Sequence, residues 1–181
     1  MASADTDSDL SRRLGALIRD IADYPKPGIV FKDITPLLAD ADGFRDATKA
    51  MAAPFRDLSV THVVAIESRG FILGAPVAQE LGVGFIPVRK PGKLPWKTRR
   101  ETYELEYGTD TLEIHSDAFD HGARVLVVDD VLATGGTADA TRRLIESLGA
   151  TVVGFSFLIS LSFLPGAARL ASRSTVSLLT Y

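Results

Sequence analysis

The 181-residue chain has no cysteine. Disulfides, thiolate metal sites and a cysteine nucleophile are therefore excluded, and the composition fits a reducing cytoplasm. Positive charge is not in surplus either: 20 Lys and Arg against 23 Asp and Glu give a formal net charge of -3, so no basic footprint for nucleic acid is present. No apolar run reaches bilayer length. The longest, 152–164, is interrupted by Gly154, Ser156, Ser160 and Ser162 and falls short of the ~20 residues that a span needs, so it predicts a buried strand and no membrane association. Histidine is scarce, at three residues. Internal repeats and low-complexity linkers are missing. Met1 to Asp9 is acidic and serine-rich with no apolar centre, so it is expected to be neither a leader nor an anchor, and residues 1–8 are expected to be disordered. The remainder, 9–181, is long enough for one core and short for two, which predicts a single domain.

What is present centres on Arg124 to Thr137. Val125, Leu126, Val127 and Val128 form a run rich in β-branched residues, too uniformly apolar for a half-exposed strand, and predict a strand buried on both faces. Asp129 and Asp130 follow where that strand is expected to end. Next comes a small glycine turn, Ala133-Thr134-Gly135-Gly136-Thr137, and then a helix carrying Thr141, Leu144, Ile145 and Leu148 and stopped by Gly149. A helix N-terminus offers unsatisfied N–H groups and a positive dipole end. Glycines let those N–H groups approach an anion closely, and Thr134 and Thr137 add hydroxyls, so the turn suits a phosphate. The two carboxylates cannot share that phosphate. They suit sugar hydroxyls or a divalent cation instead, and a phosphorylated ribose would satisfy both halves.

Val-Val-Asp-Asp-Val-Leu-Ala-Thr-Gly-Gly-Thr resembles the phosphoribosyl diphosphate (PRPP) signature of the type I phosphoribosyltransferases, and its Ala-Thr-Gly-Gly-Thr form resembles the adenine phosphoribosyltransferases in particular. The resemblance implies that Asp129 and Asp130 hold the ribose hydroxyls. It also implies that Ala133, Thr134, Gly135, Gly136 and Thr137 wrap the 5′-phosphate.

Other segments agree with this. Leu14, Leu17, Ile18 and Ile21 lie on one helical face from Leu10 onward, and Tyr24-Pro25-Lys26-Pro27-Gly28 ends that helix. The stretch from Ile29 to Leu38 predicts a short extended segment. Its Phe31 suits a core position or a flat platform for a planar base. Pro-Lys-Pro-Gly-Ile-Val-Phe-Lys-Asp-Ile resembles the family's base-covering hood, here about 9–38, which implies that Val30, Phe31 and Lys32 contact adenine. A helix is expected from Asp42 to about Arg56, and a buried strand from Val60 to Ile66. The turn Glu67-Ser68-Arg69-Gly70 follows. Ligands of open parallel sheets bind beyond the carboxyl ends of the strands, so this turn should lie beside Asp129 and Asp130 if the two strands are neighbours. Arg69 offers a bidentate fork for a diphosphate. The resemblance assigns Glu67, Ser68 and Arg69 to pyrophosphate, through a turn that often holds a strained peptide bond in the family. A hydrolase elbow is excluded because Ile66 stands where its first glycine is needed, and His62, His115 and His121 are not placed as bases.

A helix from Phe71 to Leu81, stopped by Gly82, leads to a strand from Val83 to Val88. Arg89, Lys90, Lys93, Lys97, Arg99 and Arg100 then crowd a segment broken by Pro91, Gly92 and Pro95. This predicts a flexible cationic lid for a polyanion, with Arg89, Lys90 and Lys93 on pyrophosphate. Tyr103 to Gly108 and Thr111 to His115 alternate in polarity and predict a hairpin broken at Gly108-Thr109-Asp110. Leu-Glu-Tyr-Gly resembles the family's catalytic-loop signature, which makes Glu106 the candidate acid/base residue, with Arg69 as its partner in catalysis. Thr151 to Leu161 and Val176 to Leu179 predict the last strands. Leu161 matches the family residue that closes the other face of the base, although Ser160 and Phe163 depart from the family pattern beside it.

The expected fold is α/β, a mainly parallel sheet flanked by helices with a small N-terminal hood and a catalytic loop. The expected activity is transfer of the phosphoribosyl group of PRPP to adenine, giving AMP and pyrophosphate for purine salvage. It is expected to need Mg²⁺, touched by Asp129 through water, in a cytoplasmic homodimer. Two alternatives stay open: another purine phosphoribosyltransferase using hypoxanthine, guanine or xanthine, which a base panel distinguishes, and a non-catalytic PRPP sensor on the same fold, which lacks support because no DNA-binding segment accompanies it.

Overall fold

The computed structural model describes residues 3–105 and 108–181. The chain divides into two compact units, Met1–Ala50 and Met51–Tyr181. The first contains the expected hood segment and continues past residue 38.

In the first unit the helix α1, Ser3–Gly15, precedes an antiparallel pair formed by β1, Arg19–Ala22, and β2, Val30–Asp33. The backbone is helical from Ser3, where the sequence predicted disorder up to residue 8; serine and aspartate are favoured residues at helix starts. β2 is shorter than the extended run expected from Ile29 to Leu38, because Thr35–Ala39 forms a short helix, α2, with Pro36 in its first turn. Proline there has no N–H to lose, and its fixed φ suits helix entry. Asp33 supports that entry, accepting hydrogen bonds from the Thr35 N–H at 2.9 Å and its hydroxyl at 2.8 Å. The helix α3, Ala41–Ala52, follows, and the second unit begins near its end.

The second unit is built on a five-stranded sheet of β3, His62–Ile66; β4, Gly84–Val88; β7, Arg124–Leu132; β8, Thr151–Ser160; and β9, Ser174–Thr180. Its order is β4-β3-β7-β8-β9, and every neighbouring pair is parallel. Val63, Val64 and Ala65 on β3 and Val125 through Val128 on β7 are fully buried, as uninterrupted apolar runs in a sheet covered on both faces should be. The crossover helices are α4, Arg69–Leu81, and α5, Gly136–Glu146. Gly82 caps α4 in the left-handed conformation at φ 69°, which glycine adopts without steric cost. From β3 the chain winds through α4 to β4 on one side, and from β7 through α5 to β8 on the other. A switch point therefore lies between β3 and β7, and their carboxyl ends open onto one crevice.

A separate hairpin joins β5, Thr98–Leu105, to β6, Gly108–His115. Leu105 pairs with Gly108, so the expected break at Gly108-Thr109-Asp110 lies within β6. The cross-strand register, carried by alternating side chains, outweighs the turn propensity of those residues. A reciprocal bridge between Arg89 and Glu113, at 2.9 and 2.7 Å, fastens β6 to the chain leaving β4. The short helix α6, Gly166–Arg169, connects β8 to β9. Among the described residues, no helix is long and apolar enough to cross a membrane.

Candidate active site

β7 does not stop at the acidic pair. It continues through Val131 and Leu132, which pair with Ile159 and Ser160 of β8, because two apolar residues are worth more in the ladder than in a loop. Asp129 and Asp130 consequently sit on opposite faces of the strand end. Asp130 is only 6% exposed, while Asp129 is half-buried. Ala133 and Thr134 lead to Gly135, whose φ of 75° turns the chain into α5 at Gly136. A side chain at Gly135 would be strained in this conformation. Asp129, Thr134, Gly135, Gly136 and Thr137 line a cavity of about 80 Å³ at the start of α5, where the first N–H groups of the helix lack intrahelical partners.

β3 brings the second turn to the same crevice. The Glu67–Ser68 peptide is cis, and Arg69 opens α4. Arg69 Nε donates to Asp130 Oδ2 in an ion pair. Gly70 is pressed under the neighbouring carboxylate: a Cβ there would stand 2.7 Å from Asp129 Oδ1 and 3.2 Å from the Val128 carbonyl oxygen. The two aspartates are not electrostatically equivalent. Burial, and then repulsion from Asp130, push the Asp129 carboxyl well above the ordinary aspartate range. Asp130 has the arginine.

The cationic segment is held by ion pairs rather than left loose. Glu67 accepts from Arg89 Nε at 2.9 Å and from Lys93 Nζ at 2.7 Å. Burial alone would raise the Glu67 carboxyl, but these hydrogen bonds outweigh it and hold the pKa low. Lys90 lies 3.1 Å from Asp110, which raises the pKa of the lysine and lowers that of the acid against its own burial. Arg100 lies 2.5 Å from the buried Glu113, and Thr98 already begins β5. The expected lid is thus, in its described part, a tethered segment running into a strand.

The structure brings Glu67, Ser68, Arg69, Arg89 and Lys93 together around one turn, and Asp129 to Thr137 around the other, with Arg69 and Asp130 as the link. Leu161 leaves β8 with its N–H on the Leu132 carbonyl at 3.0 Å, so it lies beside the strand that feeds the glycine turn. Val30, Phe31 and Lys32 belong to the first unit. There Phe31 meets Tyr24 edge-on at 5.3 Å, and Lys32 Nζ donates to Asp20 at 2.7 Å. Glu106 lies outside the described residues.

Three features of the site were missed at the sequence level. Tyr103, 7% exposed, shares a hydrogen bond of 3.1 Å with the Thr137 hydroxyl, and burial raises its pKa. Asp110 is the partner of Lys90. The Pro165-Gly166 pair brings α6 against the glycine turn. That dipeptide does signal a turn, but nothing local says where the turn will pack.

Among the described residues, no group of three or more His, Cys, Asp or Glu forms a metal cage. Asp129 with Asp130 instead offers the one or two carboxylates that Mg²⁺ takes when phosphates and water complete its octahedron.

The sequence profile of the phosphoribosyl transferase domain matches residues 35–176. An adenine phosphoribosyltransferase of Myxococcus xanthus is 58% identical over 176 residues, covering 97% of this chain and 96% of its own. The crystal structure of the adenine phosphoribosyltransferase from Thermoanaerobacter pseudethanolicus superposes with a TM-score of 0.91 at 50% identity, covering 94% of this chain and 99% of that one. The enzyme of that name from Saccharomyces cerevisiae was crystallised with D-2,5-dideoxy-2,5-imino-altritol 1,6-bisphosphate and adenine. It superposes with a TM-score of 0.89 at 36% identity, covering 95% and 99%.

Proposed function

Because the chain belongs to the adenine phosphoribosyltransferases, we propose that it joins adenine to the ribose of PRPP, giving AMP and pyrophosphate in purine salvage. The observation that carries this reading is the meeting of two turns at the switch point: a glycine turn opening α5, and the Glu67–Arg69 turn, linked to it by Arg69 and Asp130.

The proposed roles follow from charge and position. The N–H groups of Ala133 to Thr137 and the Thr134 hydroxyl take the 5′-phosphate. Asp129 and Asp130 take the ribose hydroxyls. The diphosphate meets Arg69, Arg89, Lys90 and Lys93 near the Glu67–Ser68 peptide, and Arg69 exchanges Asp130 for a phosphate oxygen. As the bond from the ribose carbon to the pyrophosphate oxygen breaks, positive charge develops on the ribose; these cations take up the opposite charge on the leaving group. Glu106 accepts the proton of the adenine imidazole edge as the new carbon–nitrogen bond forms. On the first unit, the Phe31 ring and the Val30 and Lys32 backbone are the proposed base contacts; on the second, Leu161. Magnesium, held by the diphosphate and ribose and touched by Asp129 through water, would neutralise phosphate charge when bound. A homodimer in the cytoplasm completes the reading.

A pyrophosphate-release assay with PRPP and each nucleobase tests it. Adenine should support turnover, while hypoxanthine, guanine and xanthine should not. Release with another base in preference to adenine would move the chain to a different purine, and no release with any base would favour a non-catalytic sensor.

A further inference from the structure

We propose that Arg169 is an additional ligand of the 5′-phosphate of PRPP and AMP, reaching the glycine turn from α6; this rests on the phosphoribosyl transfer reading above. α6 is pressed against the turn. A Cβ on Gly166 would stand 2.2 Å from the Ala133 carbonyl oxygen and 2.8 Å from Leu132 Cδ1, while a Cβ on Gly135 would stand 3.1 Å from Gly166 Cα and 3.4 Å from Arg169 Cβ. That contact fixes where the arginine side chain begins. Its end is placed as well: Arg169 Nη1 lies 3.1 Å, and Thr134 Oγ1 3.7 Å, from the point where a Cβ on Gly136 would be. A guanidinium and a hydroxyl therefore flank the first residue of α5, close enough for two oxygens of one phosphate to bridge them.

The charges around Arg169 point the same way. Arg142 and Arg143 pair with Asp139, Arg142 and Arg173 with Glu146, and Arg143 with Glu101. The Arg169 guanidinium makes no hydrogen bond or ion pair among the described residues, although it stands at the positive end of α5. A cation in that position is disfavoured by the helix dipole. Arg169 lines a cleft of about 300 Å³ together with Gly136, Asp139 and Glu104, but Asp139 already serves Arg142 and Arg143. A phosphate dianion at the glycine turn offsets both the dipole and the guanidinium, and the planar fork of arginine suits its oxygens.

Calorimetry with AMP and with ribose 5-phosphate, together with steady-state kinetics, on the full chain and on Arg169→Gln and Arg169→Lys, tests the assignment. Arg169→Gln should weaken both phosphate monoesters about tenfold, the scale of one charge-assisted hydrogen bond. It should raise KM for PRPP more than it lowers kcat, leave pyrophosphate affinity and KM for adenine unchanged, and be partly rescued by Arg169→Lys. Wild-type affinity for AMP in Arg169→Gln overturns the assignment. So does an equal loss of adenine, pyrophosphate and AMP affinity with a lowered Tm, which would mark α6 as packing alone. If the wild-type chain itself neither binds AMP nor forms it from adenine and PRPP, the functional reading fails and takes this one with it; an active wild type with an indifferent Arg169→Gln removes only the arginine.

Discussion

Asp129 and Asp130 are neighbours in the chain but carry different electrostatic loads. Asp130 is neutralised by Arg69, whereas Asp129 is raised above its ordinary value of 3.8 by burial and by Asp130. A raised carboxyl favours the folded state in its protonated form, so that stabilisation is complete below about pH 3.8 and is lost as pH rises through the folded value. The carboxylate form of Asp129 therefore weakens the fold relative to a neutral side chain at that position. Asp129→Asn should raise Tm at pH 7 by about 2–4 °C for each kcal/mol relieved, with the gain fading toward pH 4, and should abolish PRPP binding in calorimetry. A Tm that is unchanged at every pH would refute the electrostatic account of this residue. Glu106→Ala should slow AMP formation more than it weakens PRPP binding; unchanged turnover would remove Glu106 from the chemistry.

Among the elements, strand, turn and α5 were legible because their determinants are local: a β-branched run, a glycine at positive φ, a helical stripe. The boundaries were less legible. β7 runs past the acids because Val131 and Leu132 find partners on β8, about thirty residues away in the chain, and pairing of that kind leaves no local trace. The hairpin turn was misplaced for the same reason, since the register between β5 and β6 overrode the Gly108 signal. That hairpin is fastened to the glycine turn by Tyr103 and Thr137. Tyr103→Phe removes one buried hydrogen bond, which should cost about 0.5–1.5 kcal/mol and raise KM for PRPP about two- to tenfold. Wild-type kinetics and Tm in the variant would show that the bond couples nothing.

On the scale of the whole molecule, the adjacency of β3 and β7 was a condition in the sequence reading and is a fact of the sheet order. The motifs were visible one by one, but their ion pairing was not: Arg69 and Asp130 are separated by 61 positions, and Glu67 and Lys93 by 26. The four cations proposed for the diphosphate already have tethered counter-charges, Arg69 with Asp130, Arg89 and Lys93 with Glu67, and Lys90 with Asp110. The crevice is in effect an ion exchanger whose mobile ions have been replaced by its own carboxylates. When a polyanion enters, it swaps partners with groups that cannot diffuse away, so few small ions return to the solvent. PRPP affinity should then fall only shallowly as KCl rises from about 50 to about 500 mM, across which the Debye length shrinks severalfold. A steep dependence, with a log–log slope near the full number of these cations, would mean that the internal pairs do not compete.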